Sequence, residues 1–245
     1  MPNIYKKLKT IAKTRGGYFI LIDPEKIPDN LSKFLSHAMD ANVDAFLIGG
    51  STLKQFDLNE LSLKIKKETS IPVLIFPSGT HQISQYADAI LYLSFLQSHD
   101  PYFIIGAQVE AVPIVRNLKL ETISTAYLLI DSGNVSSAQR LTNVKPFSRN
   151  DVSAVTNYSI AAEILGFQFL YLEGGSGAKF SIPNNIIAFI RKEITIPIIV
   201  GGGIKKPEDA REKINSGANF VVIGNLFENN NSYSLFKEFA EAIHI

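Results

Sequence analysis

The sequence predicts an α/β fold and, within that class, a parallel (β/α)8 TIM barrel. Near-continuous apolar runs alternate with segments of helical period eight times within 245 residues, a length that suits one barrel of about 250 residues. The runs are continuous rather than alternating, as expected of strands buried on both faces. The last two end in glycines, where barrels often hold a phosphate. A doubly wound open sheet is the alternative, and the count of eight favours closure. No proline- or serine-rich linker divides the chain, so residues 1–245 read as a single domain with an N-terminal helical extension over about residues 1–17.

In order, Ile4 to Thr14 reads as a basic surface helix leading into Gly16-Gly17. The first strand is Tyr18 to Asp23, and Asp29 is placed to cap the helix carrying Leu31, Phe34, Leu35, Ala38 and Met39 at helical spacing. Strand two is Ala45 to Gly50, followed by a helix over Leu53 to Thr69. Strand three is Pro72 to Pro77, with a short helical piece from Thr80 to Tyr86. Strand four is Ala89 to Ser94, with a helix over Tyr102 to Leu118. Thr122 to Asp131 holds strand five. Residues 131–151 are irregular, either a long loop over the mouth or an added short helix. Strand six is Phe167 to Glu173, and Pro183 suits the first turn of a helix reaching Glu193. Strand seven is Ile196 to Gly203, then a helix from Pro207 to Asn215 closed by Gly217. Strand eight is Asn219 to Asn225, and an amphipathic helix from Ser234 to Ile243 ends the sequence.

Composition excludes several chemistries. There are 24 basic and 23 acidic residues, so no general field for nucleic acid or anionic membranes is expected. The absence of cysteine removes disulfides, thiolate metal sites and a cysteine nucleophile, and fits a cytoplasmic protein. The first seventeen residues lack the apolar run of a signal peptide, and no stretch approaches the roughly 18 apolar residues of a membrane span. A transient touch of the basic N-terminal helix on a membrane surface is the lesser reading beside a solvated face. The four histidines show no metal-ligand spacing and read as surface or structural groups. A P-loop, a dinucleotide fingerprint and a nucleophile elbow are all missing.

Barrels carry their chemistry at the C-terminal ends of the strands. Strand six delivers Tyr171 and Glu173 there and breaks into Gly174, Gly175, Ser176 and Gly177, whose backbone N–H groups a ligand can approach closely. Gly202-Gly203 and Gly224-Asn225 follow strands seven and eight and suit a phosphate. Asp23, with Ser51 or Thr52 beside it, suits magnesium, which commonly takes one or two protein oxygens and completes its shell with water and substrate phosphate. A turn or helix-capping acid is the equal alternative for Asp23, because Asp-Pro favours turns. Phe95, Leu96, Tyr102 and Phe103 fall beyond strand four and suit a greasy substrate, an oligomer contact or simple core packing.

These stretches together resemble the geranylgeranylglyceryl phosphate synthase family of TIM-barrel prenyltransferases. The matching segments are Leu21-Ile-Asp-Pro-Glu-Lys26, Ala45-Phe-Leu-Ile-Gly-Gly-Ser51, Tyr171-Leu-Glu-Gly-Gly-Ser-Gly-Ala178, Ile199-Val-Gly-Gly-Gly-Ile204 and Val222-Ile-Gly-Asn225, in the family's order. The resemblance implies coupling of a polyprenyl diphosphate, such as geranylgeranyl diphosphate, to the C3 hydroxyl of sn-glycerol 1-phosphate. The products are an ether-lipid precursor and diphosphate, and the reaction needs Mg2+. By position it implies Asp23 and Ser51 as the metal pair. Tyr171, Leu172, Glu173, Gly174, Gly175, Ser176 and Gly177 become the glycerol-phosphate strand and loop, with Glu173 and Tyr171 catalytic, and Gly202, Gly203, Gly224 and Asn225 become the phosphate cradle. One branch of the family carries a lysine where Leu21 stands here, which points to the other branch and to a homo-oligomer, dimer or hexamer. Two rivals stand beside this expectation: a phosphoribosyl-type isomerase or synthase using Asp23 with Glu173 or Asp131, and a non-catalytic barrel that binds a phosphate ligand.

Overall fold

The computed structural model describes residues 3–50, 57–227 and 233–245. Eight parallel strands close into a barrel: β1 (Gly17–Ile22), β2 (Ala45–Ile48), β3 (Val73–Ile75), β4 (Ala89–Phe95), β5 (Glu121–Leu129), β6 (Phe169–Glu173), β7 (Ile198–Gly201) and β8 (Phe220–Ile223). The helices are α1 (Ile4–Thr14), α2 (Leu31–Asp40), α3 (Leu58–Glu68), α4 (Ala107–Leu118), α5 (Ser137–Thr142), α6 (Val152–Ile164), α7 (Asn184–Glu193), α8 (Pro207–Asn215) and α9 (Leu235–Ile243). The expected barrel is therefore the one observed, with strand ends shifted by a few residues.

The continuous apolar runs follow from two separate cores. Successive side chains of a strand point to opposite faces. Tyr18, Ile20 and Ile22 of β1 pack outward against the helices with Phe34, Phe46 and Phe236, whereas Phe19 points inward with Leu47, Phe169 and Phe220. Both faces are largely shielded from water, so apolar residues dominate both. Closure pairs Gly17 with Phe220 and Ile20 with Ile223. Gly17 has to lack a side chain, since a Cβ there would sit 2.1 Å from the Phe220 ring. That ring stacks on Phe19 with centroids 4.6 Å apart.

Helix α1 corrects the reading of a surface helix. Its lysines 6, 7, 9 and 13 are exposed, but Ile4 and Leu8 are buried in the barrel interior and plug its N-terminal end. Two contacts hold the plug. The Glu121 carboxylate accepts from the N–H groups of Ile4 and Tyr5 at 2.7 and 2.8 Å, placing a negative charge on the positive helix end. At the other end Asn219 donates to the Ala12 carbonyl at 2.9 Å.

Three further expectations change. The cap of α2 is Asn30, whose side chain accepts from Lys33 N–H, rather than Asp29. No helix forms between β3 and β4. There Ser78 N–H donates to Gln82 Oε1, and Ser84 Oγ and Gln85 N–H both donate to Asn59 Oδ1, so side chains take bonds that a helix would need. Finally, α6 was not foreseen, because apolar residues such as Val152, Val155, Ile160 and Ile164 lie all around it and mark no single face. The irregular segment after β5 does contain a short helix, α5, and the helix after β4 opens with a π-helical turn, Tyr102–Gly106.

Beneath the barrel, Asp44 gathers the chain's two ends. It accepts two bonds from Arg15, at 2.6 and 2.9 Å, and one from Tyr18 N–H at 2.8 Å, and His244 Nε2 lies 3.3 Å away. Burial alone would raise the pKa of Asp44, but His244, Arg15 and the Tyr18 amide together bring it below the ordinary value. With its pKa depressed on folding, Asp44 stabilises the fold above its unfolded pKa, and that stabilisation is lost as pH falls through the lowered folded value. Asp44→Ala is expected to cost about 2–3 kcal/mol by urea unfolding at pH 7, the range of a lost hydrogen-bonded charge, and progressively less as pH falls below the ordinary aspartate range. An equal loss at every pH would remove the charged node.

Candidate active site

One cavity of about 240 Å³ opens at the C-terminal ends of the strands and brings most of the expected residues together. Asp23 after β1, Tyr171 and Glu173 of β6, Gly175 to Gly177, Gly202 and Gly203 after β7, and Gly224 after β8 all line it. Ser51, like Thr52, lies outside the described residues, as does the side chain of Asn225. Leu172 does not reach the cavity: strand alternation turns it outward into the helix-facing core, where it is fully buried. Gly174 is also not a lining residue, and its N–H donates to the Gly201 carbonyl at 2.9 Å. Asp131, the acid offered for the isomerase reading, is exposed away from the cavity and accepts from Gly133 N–H.

The glycines are explained by the side chains they make room for. A Cβ at Gly201 would fall 2.3 Å from the Tyr171 hydroxyl oxygen, and one at Gly202 would fall 2.7 Å from Glu173 Oε1. Gly202 also holds φ at +83°, a conformation that side chains disfavour. So the strand-seven glycines serve Tyr171 and Glu173 as well as any anion above them.

Glu173 is the electrostatic centre of the polar end. It is 6 % exposed. Burial pushes its pKa up to about 7, against hydrogen bonds from the Gly175 N–H, the hydroxyls of Tyr171 and Tyr127, and the Gly174 N–H, which favour the carboxylate. The two tyrosines are driven the other way: burial, with the neighbouring Glu173 charge, holds both hydroxyls protonated well beyond the usual range. Tyr127 was missed in the sequence because it sits inside an apolar run, with no glycine or acid beside it to mark a strand end.

The other end of the cavity is apolar. Phe76, Ile83, Ile90, Tyr92, Phe95 and Phe103 line it. Ile90 and Tyr92 belong to the outward face of the barrel. The cavity reaches them because no helix covers the sheet between β3 and β4. The π-helical turn forms its rim and is fixed by Ser94 Oγ donating to the Ile104 carbonyl at 2.7 Å, and by Gln108 donating to the Leu93 carbonyl. π-Turns frequently accompany functional sites.

Asp23 faces the cavity between these ends. Its Oδ1 accepts from Glu25 N–H at 3.0 Å, and a Cβ at Gly50 would crowd that oxygen at 2.7 Å. Asp23 thus makes the turn-type bond and also lines the cavity. No cluster of three or more histidine or acidic residues able to hold a metal occurs among the described residues.

Comparison with known proteins agrees with this architecture. The chain is 38 % identical over 226 residues to geranylgeranylglyceryl phosphate synthase of Korarchaeum cryptofilum, covering 91 % of this chain and 93 % of that protein. It is 40 % identical over 215 residues to the synthase of the same name from Flavobacterium johnsoniae, covering 87 % and 88 %. Among solved structures, the (S)-3-O-geranylgeranylglyceryl phosphate synthase of Thermoplasma acidophilum, in complex with substrate sn-glycerol-1-phosphate, superposes with a TM-score of 0.93 at 31 % identity over 100 % of this chain and 99 % of that one. A thiamine phosphate pyrophosphorylase from Pyrococcus furiosus, 13 % identical with a TM-score of 0.58 over 95 % of this chain and 96 % of that one, shares the fold alone. Residues 9–243 match the PcrB family along the barrel, and the chain belongs to that family.

Proposed function

We propose that this protein is a prenyltransferase that joins a polyprenyl diphosphate to the C3 hydroxyl of sn-glycerol 1-phosphate and releases diphosphate. The names of its relatives favour geranylgeranyl diphosphate as the prenyl donor. The observation that carries this reading is the division of one cavity: a glycine-lined end around Glu173, and an apolar groove laid over the uncovered outer face of β4. A sugar phosphate has no use for a wall of Phe76, Phe95 and Phe103, which speaks against the phosphoribosyl reading.

In this assignment the backbone turns at Ser176-Gly177, Gly202-Gly203 and Gly224 hold the glycerol phosphate anion. Tyr171 orients the glycerol, and Glu173, within the same cavity, accepts the C3 hydroxyl proton. The allylic carbon–oxygen bond breaks with its electron pair leaving on diphosphate, while the glycerol oxygen forms the new ether bond to the same carbon. The aromatic wall excludes water that would otherwise capture the allylic carbon.

Among the described residues that line the cavity, Asp23 is the one carboxylate besides Glu173. Its donor set fits Mg2+, because such a site draws its remaining oxygens from water and from the substrate itself. Gly50 preserves the space beside Asp23 Oδ1 that a side chain would fill. Asp23, with Ser51 as the second ligand, would hold the ion, which when bound supplies Lewis-acid neutralisation of the departing diphosphate.

Glu173→Ala is expected to lower turnover by about 10²-fold or more, with sn-glycerol 1-phosphate and prenyl diphosphates of several lengths at saturation. Near-normal turnover would reject Glu173 as the base. For the unaltered enzyme, kcat/KM should rise with pH and level off above about 7, where Glu173 is ionised; a rate flat from pH 5.5 to 8.5 would contradict this. Asp23→Asn should move the Mg2+ titration of activity to higher concentration, and superimposable titrations of the two enzymes would rule out Asp23 as a ligand.

A further inference from the structure

Tyr127 has no part in the chemistry above, yet it is built into the same spot. It stands directly opposite Tyr171 in the β5–β6 register, with Leu129 opposite Glu173 two residues on. Both tyrosines therefore point into the barrel from neighbouring strands. Tyr127 is 3 % exposed, and its ring lies 5.4 Å from that of Tyr171 and 4.4 Å from that of Phe95. Phe95 in turn meets Phe103 at 6.2 Å. The Tyr127 ring therefore sits where the polar end gives way to the apolar groove, and Tyr127 lines the same cavity as Glu173, whose charge helps hold the Tyr127 hydroxyl protonated.

We propose that Tyr127 is a positioning residue for Glu173, holding the carboxylate by a hydroxyl hydrogen bond so that its remaining acceptor sites face the glycerol hydroxyl. The proposal rests on Glu173 being the base. A carboxylate offers about four acceptor sites. Gly175 N–H occupies Oε1 and Tyr171 also acts on the group, whereas the Gly174 N–H is spent on the Gly201 carbonyl at 2.9 Å, so a Tyr127 bond still leaves an acceptor site for the glycerol hydroxyl. Tyr171 is shared with the substrate, so Tyr127 is the side-chain donor free to stay on Glu173 throughout the reaction. Its own proton is held well beyond the usual tyrosine range, so it remains a donor at every working pH. The groups acting on Glu173 are thus Tyr127, Tyr171 and the Gly175 amide. The other ionisable side chains lining the cavity are Asp23, Lys205, Tyr92 and Tyr102.

The test reads Glu173 directly. Protein labelled with carbon-13 at the glutamate δ-carbon is titrated by NMR, with Glu173→Gln identifying the resonance. In Tyr127→Phe the midpoint should move up by about one pH unit, the equivalent of one hydrogen bond to a charged group. The acidic limb of kcat/KM should move with it, while KM for sn-glycerol 1-phosphate stays within about twofold of the parent value, the sign that ground-state binding is intact. Replacement of Tyr127 by 3-fluorotyrosine, a stronger donor that keeps the ring, should move the midpoint down, which a packing role would not do and which covers the case of an unfolded Tyr127→Phe. An unmoved midpoint in either folded variant overturns the proposal. Absence of ether product from the parent enzyme would instead sink the proposed function, and a midpoint unmoved by these replacements alongside normal ether synthesis would sink the role of Tyr127 alone.

Discussion

The site depends on keeping one carboxylate out of water. Glu173 is buried at the end of β6, and its neighbours are what that burial demands: the Gly175 N–H donating to it, two tyrosines beside it that favour its charged form, and Gly202, where a side chain would collide with it. The cost falls on stability. Between the ordinary glutamate value of 4.5 and about 7 the folded protein retains a proton that the unfolded chain has released, so stability declines as pH rises through that window. The full effect is on the order of 3 kcal/mol. Carboxyl groups with raised pKa values cluster at functional sites, which is why Glu173 is the candidate base.

A second feature opens the cavity onto the outer face of the sheet. Elsewhere a helix covers the outer face of the barrel; between β3 and β4, among the described residues, none does. Ile90 and Tyr92 are consequently both core residues and cavity wall. The polar loop bonded through Gln82 and Asn59 takes the place of a helix without filling the layer. A long apolar chain can then lie over the sheet with its head group at the barrel mouth. The two ends of the cavity are thus joined by an omission in the helical layer rather than by an added element.

Much of this was legible in the residues. The continuous runs fixed the strand count, and the break at Glu173-Gly174-Gly175 marked the site, because backbone turns at strand ends leave a glycine signature. The dual role of Gly201 and Gly202 was hidden, since a glycine making room for Tyr171 and Glu173 reads the same as one receiving a phosphate. Leu172 was assigned to the site by its neighbours, although period-two geometry sends it to the opposite face. Tyr127 escaped notice because only the β5–β6 register brings it to Glu173. The burial of Ile4 and Leu8 was likewise invisible, because the lysines around them describe only the other face of the helix.

The central claim is that glycerol oxygen, held beside Glu173, forms a bond to a prenyl carbon delivered along the groove. It is tested most directly with sn-glycerol 1-phosphate carrying oxygen-18 at the C3 hydroxyl, incubated with the protein, Mg2+ and geranylgeranyl diphosphate, and followed by mass spectrometry. The label should appear in a prenyl ether, with none in the released diphosphate. Recovery of unaltered glycerol phosphate alongside free prenyl alcohol, or label in the diphosphate, would contradict it.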